Sequence, residues 1–234
     1  MQIVDIIIIL MIVLGAVVGF KQGFIKKVTS FVGTFAIVVI AFILKNPLSV
    51  VMYENLPFFK FGGVIKGIDM INILVYELIA FTVVVVALTF ILRLFMGLTG
   101  IVERLLKMTV FLSIPSKILG IFVGALEYYV YIFLILVVLS LPAFNIPVIK
   151  ESEYATKILE ETPVLSPLAA STVDTYLAVY DVIHETKGMS DVEINETILD
   201  LLLEKEVITV DSAQKLVDMN KIYIEDTSIL DKYR

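Results

Sequence analysis

An all-α membrane protein with four transmembrane helices and a small, helical, soluble C-terminal tail is the fold class this sequence predicts, on three observations. First, 59% of its 234 residues are hydrophobic and 18% charged, with a mean hydropathy of +0.98. A soluble domain is roughly 45–50% apolar and about 25% charged, so a water-soluble fold of this length has nowhere to bury so much apolar surface. Second, four apolar runs stand near residues 3–20, 28–44, 70–94 and 118–141, each close to the ~20 helical residues that cross a hydrocarbon core of ~30 Å. Third, stretches such as IIIILMIVLGAVV and VVVVALTFIL lack the alternation of barrel strands. Their backbone groups must therefore be satisfied within helices.

The first run, Ile3–Phe20, has Asp5 as its only charge, and no small-residue cleavage site precedes FKQGFIKK. It reads as an uncleaved spanning helix rather than a secretory signal, with Asp5 an interface residue that suits the dipole at a helix start. Val28–Leu44, Met70–Leu94 and Ile118–Leu141 form the other three spans. The second loop carries NLPFFKFGG, in which Pro57, Phe58, Phe59 and Phe61 adjoin Gly62 and Gly63; it is expected to be an aromatic turn dipping into the interface. Over Gly100–Thr109 in the third loop, a helical wheel gathers Glu103, Arg104 and Lys107 on one arc. That pattern suits an amphipathic helix lying in the interface, or equally an ordinary connecting helix.

Charge divides the chain. Residues 1–141 carry ten basic and six acidic residues, whereas 142–234 carry eight and eighteen. The expected organisation is a four-helix membrane domain over 1–141 and an acidic helical extramembrane tail over 142–234. Basic residues near the helix ends (Lys21, Lys26, Lys27, Arg93, Arg104, Lys107 and Lys117 on one side) favour cytoplasmic odd-numbered loops and extracytoplasmic N- and C-termini.

The tail reads as short helices. A stripe of Val173, Tyr176, Leu177, Tyr180 and Ile183 runs to a stop at Lys187-Gly188, and Ser190 with Glu193 forms a capping box. Ile194, Ile198, Leu201 and Leu202 follow as an apolar face. Asp211 with Gln214 signals another helix, and Ile222–Ile224 a β-like end. Such a tail docks on the membrane surface or on a partner. Its acidity disfavours nucleic acid and anionic lipid and suits a basic peptide or protein.

Several chemistries find no residues. Without cysteine there is no disulfide, thiolate metal site or cysteine nucleophile. The single histidine, His184, reads as a surface residue of a tail helix. No P-loop, GxGxxG or G-x-S-x-G is present, and the tail acids lack the spacing of a calcium loop. No catalytic residue, metal or cofactor is expected, and a membrane enzyme has no nucleophile–base pair to work with.

Two sets of intramembrane residues stand out. Gly15-x3-Gly19 and Gly120-x3-Gly124 put small residues one turn apart, where close backbone approach drives helix association in lipid. They suit either a homo-oligomer seam or packing within one protomer. Glu77 and Glu127 are the acids well inside the spans; each costs about 3 kcal/mol at the bilayer centre unless it faces protein or water. They suit a proton-accepting pair, with Lys45 the nearest cation, or two unrelated acids that are protonated or bonded to Tyr76, Tyr128, Tyr129 or Tyr131.

The opening DIIIILMIVLGAVVGFKQGFIKKVTSFVGTFAIVVIA resembles the start of the CvpA (colicin V production) family: an acidic residue, an apolar helix, then a basic residue with Gly-Phe and a second apolar helix. SIPSKILGIFVGALEYYVYIFLILVV is similar to its fourth helix. Asp5, Gly23, Phe24, Gly120 and Gly124 carry the match, which covers about residues 1–141. The resemblance implies a multi-pass protein of the bacterial cell membrane, without agreed catalytic activity, tied to production or export of a peptide toxin and to envelope homeostasis. A function from a different class, an oligomeric small channel or proton-coupled transporter using Glu77 and Glu127, rests on those acids alone.

Overall fold

The computed structural model describes residues 2–106, 113–141, 147–185 and 188–234. Four long helices carry the apolar text: α1 (Ile3–Gln22), α2 (Phe24–Asn55), α3 (Ile71–Leu106) and α4 (Ser113–Ser140). Each contains a stretch long and apolar enough to cross a membrane, so the all-α membrane class holds. Six helices follow: α5 (Pro147–Lys150), α6 (Glu153–Glu161), α7 (Leu165–Glu185), α8 (Asp191–Glu204), α9 (Val210–Asp218) and α10 (Ser228–Asp231). Among the described residues no strand forms. The Ile222–Ile224 run alternates, with Ile222 and Ile224 buried and Tyr223 exposed, but it has no partner strand.

Helix lengths depart from the apolar runs. The first loop shrinks to Gly23, whose φ of 81° is open to a residue without a Cβ, and α2 begins at once. With 32 residues, α2 extends about 48 Å at 1.5 Å per residue. It passes Pro47 and reaches Asn55 because its last turns are held by protein. Tyr53 is fully buried, and Lys221 Nζ donates to the carbonyls of Tyr53, Glu54 and Leu56 at 2.8, 2.7 and 2.9 Å, capping the negative end of the helix dipole. Likewise α3 absorbs residues 100–106 of the candidate interfacial helix; residues 107–109 of that segment lie outside the described residues.

The chain forms two compact units, Met1–Ala41 with Val84–Ala170, and Phe42–Val83 with Ser171–Arg234. Of the sequence after the fourth span, the part up to Ala170 belongs to the first unit and the part from Ser171 to the second. In the first, α1 packs along α4 and α6 contacts both. Asp5 does more than sit at an interface: it is buried, closes a capping box with Gln2, and accepts from Ser152 Oγ at 2.5 Å. Ser152 is the N-cap of α6, accepting from the Ala155 amide, so one carboxylate joins two helix starts.

In the second unit the tail shares a core with the second loop and the helix ends beside it. Tyr53, Ile68, Met70, Ile73 and Leu74 pack with Ile198, Leu199, Leu202, Leu216 and Leu230. Burying each such aliphatic side chain is worth roughly 1.5–3 kcal/mol, which explains why this tail folds on its own chain rather than waiting for a partner. Asn195 ties the two parts, accepting from the Met70 amide at 3.1 Å and donating to the Gly67 carbonyl at 2.8 Å. The Ser190–Glu193 capping box forms as read, and the Ser190 amide lowers the Glu193 pKa. The next cap is Thr209, not Asp211: Thr209 is extended and accepts from the Ser212 amide at 3.2 Å, leaving Asp211 in the first turn. Helix α7 starts eight residues before the stripe that predicted it, since Pro167 in its first turn gives up an amide that has no helical acceptor anyway.

The C-terminus is held by charge. Lys232 Nζ donates to both Asp200 oxygens at 2.9 and 3.0 Å, and Tyr233 OH to Asp200 Oδ1 at 2.9 Å. Lys232 foremost, with Tyr233, holds the Asp200 pKa below the ordinary carboxylate range. A lowered folded-state pKa contributes stability above the unfolded value of about 3.9, and that contribution is lost as pH falls through the folded value. The protection of amides over 228–234, taken relative to their intrinsic exchange rate at each pH, is therefore expected to fall on acidification in the wild type, and to be low already at neutral pH in Asp200→Asn. Identical acid profiles in the two proteins would exclude this clamp.

Candidate functional site

The site is a polar network inside the apolar part of the first unit. Lys27, Ser30 and Thr34 recur at three- and four-residue steps on one face of α2, and Glu127 with Tyr131 repeats one turn apart on α4. Lys27 Nζ and Ser30 Oγ both donate to the Glu127 carboxylate. Tyr131 OH donates to Glu127 Oε1 at 3.1 Å and lies 3.3 Å from Thr34 Oγ1. Lys27 and Glu127 are only 3% and 2% exposed. The charges cancel, so an acid that would be expensive in hydrocarbon is carried as a neutral, hydrogen-bonded pair.

The glycines shape this network. An added Cβ at Gly19 would collide with the Gly120 carbonyl, and one at Gly124 with the Gly15 carbonyl. At Gly15 it would lie 2.6 Å from the Gly124 oxygen and 2.7 Å from Tyr128 Cβ. All four therefore belong to one α1–α4 seam within the chain. Bare backbone at Gly15 admits Tyr128, whose ring lies 5.8 Å from Lys27 Nζ, within cation–π range. Gly23 adds a junction: the Phe24 amide donates to Ser116 Oγ at 3.1 Å.

Glu77 belongs to the second unit. Its Oε1 accepts from Lys45 Nζ, which also donates to Asn46 Oδ1 at 3.1 Å, and Glu77 is 2% exposed. The other oxygen, Oε2, is buried without a hydrogen-bond partner. Each acid is engaged by a lysine of its own unit, Glu127 by Lys27 and Glu77 by Lys45, because an opposite charge close by favours the ionised carboxylate. Lys45 was legible as a partner from its place at the end of the second run. Lys27 was missed because a loop lysine reads as interfacial, although its spacing to Ser30 and Thr34 carried the signal. Tyr131 bonds Glu127, one of the tyrosines named for that role. His184 is exposed at the end of α7, its ring stacked on Tyr180 at 3.9 Å.

Among the described residues no three of His, Asp or Glu converge to hold a metal. A groove of about 480 Å³ between α8 and α10 is lined by Glu193, Glu196, Asp200 and Lys232 over Met189 and Ile229. A model of the family described as colicin V production protein matches residues 4–163. No curated protein and no solved structure matches the chain.

Proposed function

The chain belongs to the colicin V production protein family, and from that membership we propose that it is a non-enzymatic membrane component that assists the production or export of a toxin-like peptide and the upkeep of the envelope. The observation that carries the non-transporting part of this reading is the neutralisation of Glu127 and Glu77 by Lys27 and Lys45. A carrier needs a carboxylate free to exchange its proton, whereas these acids hold helices together. The acidic groove between α8 and α10 suits a basic peptide segment by charge complementarity. The count of basic residues at the helix ends supports extracytoplasmic termini, which would present that groove outside. The rival reading, a small channel or proton-coupled carrier, has one observation on its side, the unpartnered Oε2 of Glu77.

Two measurements separate them. In cells that make a secreted peptide toxin, loss of this protein should lower toxin in the medium without lowering its synthesis, and Glu77→Gln should restore export if it folds. In proteoliposomes with a pH-sensitive dye, the wild type should collapse no proton gradient. Gradient-dependent flux abolished by Glu77→Gln would replace this reading with the carrier.

A further inference from the structure

We propose that the tip of the second loop, residues 59–66, is an interfacial anchor whose ligand is the anionic phospholipid headgroup layer of the membrane the chain spans. Its base is firmly built. Asn72 accepts from the Phe59 amide at 2.7 Å and donates to the carbonyls of Phe59 and Asp69 at 3.2 and 3.0 Å. Tyr76 OH donates to the Pro57 carbonyl at 2.5 Å. The tip is uncovered: Phe59 is 46% and Val64 73% exposed, and a Cβ at Gly62 or Gly63 would meet nothing within 4 Å. Lys60 and Lys66 are exposed on either side of these apolar groups.

Its level relative to the bilayer follows from the helices beneath. On α2 the uncharged run 28–44 ends at Lys45, and on α3 the uncharged run 78–92 begins after Glu77. Lys45 and Glu77 are paired, so the uncharged runs of α2 and α3 stop at one height, and the second loop lies beyond it, on the side away from those runs. Tyr76 precedes Glu77, and the Phe59 ring packs on Tyr76 at 5.5 Å and on Phe61 at 6.3 Å. The loop therefore folds back to the edge of the hydrocarbon, where aromatic rings and lysine ammonium groups partition together. Lipid is the partner present at that height, and two lysines with no acid among residues 59–66 match anionic headgroups.

The chain has no tryptophan, so Phe61→Trp introduces a single indole. In vesicles of phosphatidylcholine with phosphatidylglycerol, its emission should be blue-shifted. It should lose more of its intensity to lipids brominated near the carbonyl end of the acyl chain than to those brominated near the methyl end. Val64→Trp should behave alike, whereas Tyr223→Trp, exposed on the tail, should not be quenched. Adding Lys60→Gln and Lys66→Gln should reduce the quenching with phosphatidylglycerol to that in pure phosphatidylcholine. A Phe61→Trp indole that emits as in water, or that is blue-shifted but unquenched by either lipid (as if covered by a second copy), overturns the anchor. Quenching indifferent to phosphatidylglycerol and to the lysines overturns the headgroup assignment.

Discussion

Glu127→Leu is expected to cost about 3–5 kcal/mol, because it leaves the Lys27 ammonium buried without its counter-charge. Ser30 loses its acceptor at the same time and adds to the cost, whereas Tyr131 loses Glu127 but keeps Thr34. The double variant Lys27→Met/Glu127→Leu should recover most of the loss, since removing both charges removes the desolvation that the pair must offset. Exposed Lys157, paired with Glu153 one turn earlier and 55% exposed at its side chain, is the control: Lys157→Met should change stability by no more than about 0.5 kcal/mol. Unfolding in detergent mixtures reads all three. Equal losses for the single and the double variant would mean that Lys27 has another route to solvent and that the pair is not a lock.

Gly19→Leu should be comparably damaging, about 3 kcal/mol or more, since the added carbons meet the Gly120 backbone rather than a movable side chain. Gly124→Leu should match it from the other helix, and Gly19→Ala should already displace α1. Because α1 and α4 have little hydrophobic drive to associate in lipid, nothing substitutes for the close van der Waals packing of the seam once the helices are forced apart. Gly62→Ala, where the new methyl meets open space, should stay within about 0.5 kcal/mol of wild type. Substituted seam glycines that unfold like Gly62→Ala would show that α1 and α4 do not meet there. Both predictions converge on Tyr128, which the glycine seam admits and which lies beside Lys27, so stabilities of combined seam and ion-pair variants should deviate from additivity.

Much of this architecture is legible in the sequence because its signals are local. Apolar length gives the four spans, and a three-residue offset gives the Ser190–Glu193 cap. The spacing of Gly15 and Gly19 against Gly120 and Gly124 marks the seam, though not whether one chain or two would fill it. The rest depends on encounters between distant segments. Lys27 and Glu127 lie 100 residues apart, and nothing near Lys27 distinguishes it from Lys26, which is exposed. The second loop and the tail are both unremarkable alone; Ile68 and Met70 become core only once Ile198 and Leu202 cover them. The overshoot of α2 has the same origin, its last turn being stabilised by Lys221 from the far end of the chain.

Everything described depends on four crossings, with the second loop and the tail on one face so that they can share a core. The chain has no cysteine, so single cysteines at Lys21, Asn55 and Tyr223, all exposed, can be labelled in sealed membrane vesicles with an impermeant maleimide. Asn55→Cys and Tyr223→Cys should react from the same face and Lys21→Cys from the opposite one. Reaction of Asn55→Cys and Tyr223→Cys from opposite faces, or of Lys21→Cys from the same face as both, would contradict the account.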